Sequence, residues 1–425
     1  MEPFSFRVEN QRNHQEVCEI GDLPNELLTY IFSFLSKTYI YSTIFKVCRH
    51  WKNVASHPSL WHTLHFESDN SLGVTEMTEM LSFAPELLFL KIRESENIIP
   101  VLQQLSQSCP KLQHLDIGFN SIENKEVIEL LVEKCPQIES LNLEGTSAQD
   151  PEESVFFPFA ALEHLKTLNL CYCKWVTDDF INKLSQSKSS FENLDIDGIP
   201  YPTDSSIAKF LEEKGSQIRI LKLDGEGLTD ISFGKLAKCE RLSELSISFS
   251  ENMTYLSLER IVRNSKLRKL YIRKGTSLAP NGLQQAFSQL NCVLLVSLYL
   301  SECHKMDDRT LEILLPKVPL LTKLNLDWCS FISTIGFAHI KTHCSHLKHL
   351  GVMGLCRVAD SSLSDIPAWL PNLKFLNLTS CNVISDQSII DLTTLMPDLC
   401  VLNYYGEAFV NGEPSDIMSV FSCIL

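Results

Sequence analysis

The sequence predicts an α/β solenoid, a stack of strand–helix units, on three observations. One phrase, an apolar residue, two variable residues, Leu, one variable residue and another apolar residue, occurs thirteen times between Leu87 and Tyr404. Its central leucines (Leu90, Leu115, Leu141, Leu168, Leu194, Leu221, Leu245, Leu270, Leu298, Leu324, Leu350, Leu376 and Leu402) stand 24 to 28 residues apart, on average 26. That period holds one short strand and one helix. After many of these strands the same series follows: a Cys or an apolar substitute, an aliphatic residue, then Asp. No single unit of this size can bury its apolar face alone, whereas stacked units cover one another.

Each element of the period has its own reason. Side chains alternate along a strand, so in Leu168-Asn169-Leu170 the leucines point inward and Asn169 points to the concave face. A small thiol at Cys173, Cys303, Cys329 and Cys381, or Leu355, suits the tight turn that follows. Val176, Met306, Ile332, Val358 and Ile384 then enter the core. Asp178, Asp308, Asp360 and Asp386 stand where a helix begins, where Asp is expected to cap free N–H groups. Val127, Leu131 and Cys135 form the apolar stripe of one helix, and Pro110, Pro136, Pro371 and Pro397 mark the return to the next strand. This phrase, clearest in Leu376–Asp386, resembles the cysteine-containing class of leucine-rich repeats. The expected fold is a leucine-rich-repeat solenoid, a horseshoe of about thirteen repeats of about 26 residues. Between Leu194 and Leu270 the Cys position is lost and the match is looser.

Residues 20–61 do not follow the repeat. Asp22 is placed to cap a helix carrying Pro24 in its first turn, with Leu27, Ile31 and Leu35 on one face. Ile44, Cys48, Trp51 and Ala55 predict a second stripe. About forty residues cannot bury both stripes, so some apolar surface must dock elsewhere. Leu23-Pro24, Glu26, Ile31, Leu35, Val47-Cys48-Arg49-His50-Trp51 and Leu60-Trp61 in this order resemble an F-box, with Tyr39-Ile40 standing where that family more often has an acidic residue and Leu. The resemblance implies a small three-helix module that docks the Skp adaptor of a cullin-RING (SCF) ubiquitin ligase through Leu23, Pro24, Glu26, Ile31 and Leu35. It implies core roles for Val47, Trp51 and Trp61. Leu64 lies 26 residues before Leu90, so the module is expected to be fused to the solenoid without a flexible linker.

Net charge of −15 over 425 residues excludes a nucleic-acid backbone as the main partner. Fifteen cysteines, most at repeat-defined positions, read as buried thiols in a reducing compartment, cytoplasmic or nuclear. Asn252 and Asn377 then carry sequons without consequence. No signal peptide is expected from Met1–Glu19, and the apolar stretch Cys292–Leu300 is too short to span a bilayer. In Ser422–Leu425 the cysteine is third from the end, not fourth as prenylation requires. No P-loop, nucleophile elbow, HExxH or dinucleotide glycine motif occurs, and Cys171-Tyr172-Cys173 is one close pair without a second at zinc spacing. Neither catalysis, a metal nor a cofactor is expected.

The concave face is the expected binding surface. Asp116, Glu144, Asp195, Asp197 and Asp224 make its first half acidic, while residues 260–274 hold seven Lys or Arg and no acid. Lys269, Arg273 and Lys274, with Tyr271, Tyr299 and Trp328, are expected to line a target site that takes an acidic or phosphorylated segment. The predicted organisation is a disordered tail (1–19), an F-box (20–61), a solenoid (62–404) and a C-terminal tail (405–425) able to pack over that face. The resemblance to F-box and leucine-rich-repeat proteins implies that such a chain acts as the target-recognition subunit of an SCF ligase, joined through the Skp-type adaptor to cullin and RING subunits. The alternative is a non-degradative scaffold.

Overall fold

The computed structural model describes residue 20 and residues 23–66, 72–148 and 155–415. The segments read as an N-terminal tail and as the prenylation-like box lie outside the described residues, as does Asp22. Among the described residues sixteen strands form one sheet in chain order, from Thr63–Phe66 to Glu413–Ser415. The pairings are parallel up to strand Cys400–Leu402 and antiparallel beyond it. Leu64 pairs with Leu90, Leu90 with Leu115, and the leucine ladder continues in register to Leu376. Every rung of it is at most 2% exposed. Helices such as Lys125–Lys134, which buries Val127 and Leu131, close the other side of this core.

The Cys position behaves as the repeat predicts. Cys173, Cys303, Cys329 and Cys381 are buried. Three of them donate to a carbonyl one repeat earlier: Cys173 to Leu143 (2.9 Å), Cys329 to Leu300 (3.1 Å) and Cys381 to Val352 (3.2 Å). Burial pushes the Cys173 thiol up to about 11 and Cys303 up to about 12, so both stay protonated.

The aspartates do not cap their own helices. Asp178 is the first residue of helix Asp178–Gln186, after Thr177 at the cap position, and it accepts from the Thr203 N–H (2.7 Å) and hydroxyl (2.9 Å) at the next helix start. Asp308 likewise accepts from the Ser333 (2.8 Å) and Gly336 (3.0 Å) N–H groups, and Asp360 from Ser385 (2.8 Å). A carboxylate on the first turn reaches sideways to the positive end of the neighbouring helix, where free N–H groups need acceptors. The series is therefore an inter-repeat ladder.

The last repeat is shifted by one residue. Val401, not Leu402, pairs with Leu376, so Leu402 turns to the concave side and packs with Cys400, Ala408, Phe375 and Val410. A slip of one residue exchanges the faces of a strand. Strands Ala408–Val410 and Glu413–Ser415, in the segment read as a tail, form the antiparallel ribbon that covers this end of the sheet. Residues 416–425 lie outside the described residues, so the expected cover of the concave face by the tail does too.

Candidate functional site

The N-terminal module is built from helix Asn25–Ser33, a helical run over 37–47, helix Arg49–Ala55 and a 3-10 turn at Pro58–Leu60. Pro24 stands just before the first helix, at its cap position, and not within its first turn. The buried stripe of that helix is Leu28 and Phe32, one residue away from the stripe of Leu27 and Ile31. Phe32 packs on Trp51 (ring centroids 5.3 Å), and Trp61, fully buried, donates through Nε1 to the Ala55 carbonyl (2.8 Å). Two expectations fail here. Val47 is 53% exposed and is no core residue. Cys48 is extended (φ −162°, ψ 167°) and caps the following helix, so Ile44 and Trp51 belong to different helices and Cys48 is exposed.

This packing leaves an apolar helix face uncovered. Leu27 is 49% exposed, Tyr30 63%, Ile31 37% and Phe34 72%, and Tyr30 and Phe34 meet edge to face (4.9 Å). Pro24 and Glu26 are exposed beside it, whereas Leu23 and Leu35 are partly buried against the core. Tyr30 and Phe34 were missed by motif matching. Their spacing of three and seven residues from Leu27 places them on its face and could have revealed them. The module joins the solenoid through Phe45, Trp61 and Phe83, whose rings lie 5.1 to 6.0 Å apart. Tyr41 adds a hydrogen bond to Glu79 on helix Val74–Ser82, which pushes its phenol up to about 12.

On the concave face Tyr271 and Tyr299 are register partners with centroids 4.7 Å apart. Lys269 and Arg273 flank them, but each is engaged within the chain: Lys269 with Glu244 (2.8 Å) and Arg273 with Glu302 (2.6 Å). Lys274 sits 4.3 Å above the Phe249 ring. Trp328 is not on the strand. It occupies the left-handed turn after it (φ 61°) and covers Gly354, where a Cβ would come within 2.4 Å of its ring. Phe119 over Gly145 and Tyr172 over Gly198 repeat this arrangement, so each of these glycines supplies both the positive φ and the space. The acidic half is also paired: Asp116 and Glu144 with Arg93 (2.9 and 3.2 Å), and Asp195 with Lys222 (3.0 Å). Asp224 accepts from the Glu226 N–H (2.8 Å) and is pushed up by burial and by Asp197. The expected change of sign along the face is thus muted by pairs that sequence spacing did not show.

A family model described as F-box-like matches residues 20–67, and a leucine-rich-repeat model matches 108–130 and 370–392. A putative F-box protein of Arabidopsis thaliana is 26% identical over 186 residues, a match covering 37% of this chain and 55% of the relative. Among solved structures, the yeast Rad7 and Elc1 complex aligns with a TM-score of 0.57 at 15% identity, over 89% of this chain and 92% of that one. An internalin of Listeria monocytogenes aligns with a TM-score of 0.50 at 16% identity, over 80% and 86%. At these identities the two structures speak to the fold alone, and they agree with the parallel ladder described above. The chain carries an F-box-like domain at its N-terminus, followed by leucine-rich repeats.

Proposed function

We propose that this chain is the target-recognition subunit of an SCF ubiquitin ligase and has no catalytic role of its own. The observation that carries the reading is the uncovered apolar face of helix Asn25–Ser33, in an F-box-like domain packed directly on the solenoid. Contiguous exposed apolar surface of this kind is costly in water unless a partner covers it. On this reading Leu23, Pro24, Glu26, Ile31 and Leu35 dock the Skp-type adaptor, with Leu27, Tyr30 and Phe34 adding most of the apolar area, and cullin and RING subunits follow through the adaptor. The yeast Rad7 structure, which shares the fold, is itself a complex with a second protein, Elc1.

The concave face then holds the protein target. Tyr271 and Tyr299 are its anchors, with Lys269, Arg273 and Lys274 at their side and Trp328 at the rim. An acidic or phosphorylated segment would have to displace Glu244 from Lys269 and Glu302 from Arg273, exchanging one charge-assisted pair for another. The proposed domain limits are 20–61 for the F-box and 62–404 for the solenoid, and the compartment is cytoplasm or nucleus. Co-purification of the full chain with a Skp-type adaptor and a cullin tests the reading. Recovery of both, lost in the Leu23→Ala/Pro24→Ala variant, supports it. Recovery of the adaptor without cullin would indicate a non-degradative scaffold.

A further inference from the structure

The run of positive charge at 260–274 is split by the fold. Lys269, Arg273 and Lys274 go to the concave side and its rim, whereas Arg260, Arg263 and Lys266 go to the helix side. There they rim a recess of about 490 Å³ floored by Leu236, Leu242 and Ile261, which are 2 to 3% exposed. The recess follows from repeat length. Leu221 and Leu245 are 24 residues apart, the shortest interval in the array. The helix of that repeat shrinks to Asp230–Phe233 and a 3-10 turn, Gly234–Lys238, beside the full helices Asp204–Lys214 and Tyr255–Val262. A short helix leaves part of its neighbour uncovered.

The walls are held in place. Asn264 donates to the carbonyls of Cys239 (3.2 Å) and Leu242 (3.4 Å) across the repeat boundary, and its Oδ1 accepts from the Lys266 N–H (3.0 Å). The Arg260 guanidinium lies against Gly234, 2.8 Å from where a Cβ would stand. Arg263 is paired with Glu259 (2.6 Å) and Arg260 lies in the field of Asp230, but among the described residues neither Arg260 nor Lys266 has a carboxylate within ion-pair distance. One acid, Glu240, stands on the rim. A cationic rim over an apolar floor, in a chain of net charge −15, is complementary to an anionic peptide that also offers an apolar side chain.

We propose that this recess is a second docking site, separate from the concave face, for an acidic or phosphorylated segment of a partner protein. Its phosphate or carboxylates lie on Arg260, Arg263 and Lys266, and an apolar side chain of the same segment enters over Leu236, Leu242 and Ile261. Such contacts are charge-assisted and weaken with salt.

The test uses the full chain and a fluorescein-labelled peptide of Glu, phosphoserine and one Leu, with a Gln/Ser counterpart of the same length. The anionic peptide should bind in a salt-dependent way and the neutral one at least about tenfold more weakly, the scale of one lost charge-assisted bond. Arg260→Glu with Lys266→Glu should weaken the anionic peptide by tenfold or more, and Arg260→Gln with Lys266→Gln by less. All of these proteins, the reference included, carry Lys269→Glu and Arg273→Glu, which remove the concave site, so that the binding measured belongs to the recess. Thermal melting of each variant separates unfolding from loss of the site. Equal binding by the glutamine and glutamate variants and the reference overturns the proposal, as does equal binding of both peptides. Displacement by a short RNA that binds tenfold more tightly than the peptide also overturns it, because it assigns the site to a different class of partner.

Discussion

Helix Asn25–Ser33 and the leucine ladder are both apolar, and they meet opposite fates. In the solenoid each repeat covers the last, so the paired strand leucines from Leu64 to Leu376 are at most 2% exposed. In the N-terminal module one stripe, Leu28 and Phe32, is covered by Trp51 and its neighbours, and the adjacent stripe is left 37 to 72% exposed. The contrast separates two uses of apolar surface. Repetition supplies the solenoid with a partner for every face, while a module of about forty residues has more apolar face than it can bury.

The largest expected effect breaks the first half of that contrast. Leu324→Ala should cost about 2 to 5 kcal/mol, the range for truncating a fully buried leucine, with neighbouring repeats opening first. Chemical denaturation followed by hydrogen exchange measures both, and a loss below about 0.5 kcal/mol would contradict the strand register. The second half is broken by Ile31→Ala with Phe34→Ala. Stability should change by less than about 1 kcal/mol because Phe34 is 72% and Ile31 37% exposed before any change, while affinity for a Skp-type adaptor should fall by about 2 kcal/mol or more, as for interface hot spots. Calorimetric titration beside a melting curve reads both quantities.

Smaller effects sharpen the account of how repeats hold together. Burial opposes ionisation of Asp178, yet the bonds from Ser206 and Thr203 outweigh it and hold the carboxyl below its usual range. Asp230 and Asp360 are lowered in the same way, against burial, through the bonds from Thr254 and from Ser385. A folded value below the unfolded one, which is about 3.9, means stability that is complete above the unfolded value and lost as pH falls through the folded one. Asp178→Asn should therefore cost about 1 kcal/mol at neutral pH, comparable to losing a helix cap, and should make the acid limb of a stability titration shallower. The smallest effect is expected at Lys269. Its bond to Glu244 is half exposed, so Lys269→Ala should change stability by less than about 0.5 kcal/mol, and a larger loss would show that the concave pairs are structural.

Periodicity made most of the solenoid legible. The interior leucines, the Cys position and the extra strand at Leu64 all follow from a spacing near 26 residues, because stacking forces equivalent residues into register. It misled at Leu402, where the array ends and the antiparallel ribbon, not a further repeat, decides which face is buried. The role of the aspartates was half legible: a position at a helix start was clear, but which helix they serve depends on the lateral neighbour, which a single period does not contain. In the module, residue order identified the F-box-like segment, but Val47 and Cys48 were misread because an extended residue at Cys48 interrupts the helical phase. Ion pairs such as Lys269 with Glu244 link residues one repeat apart, and a linear charge count treats them as separate.

Hydrogen exchange on the full chain, with and without a purified Skp-type adaptor, tests the central claim most directly. Slowed exchange confined to the N-terminal module around helix Asn25–Ser33, with the strands of Tyr271 and Tyr299 unchanged, is the predicted result. Protection of the concave strands by the adaptor, or no protection of that helix at saturating adaptor, would contradict the division of the chain into an adaptor-docking module and a separate target-binding solenoid.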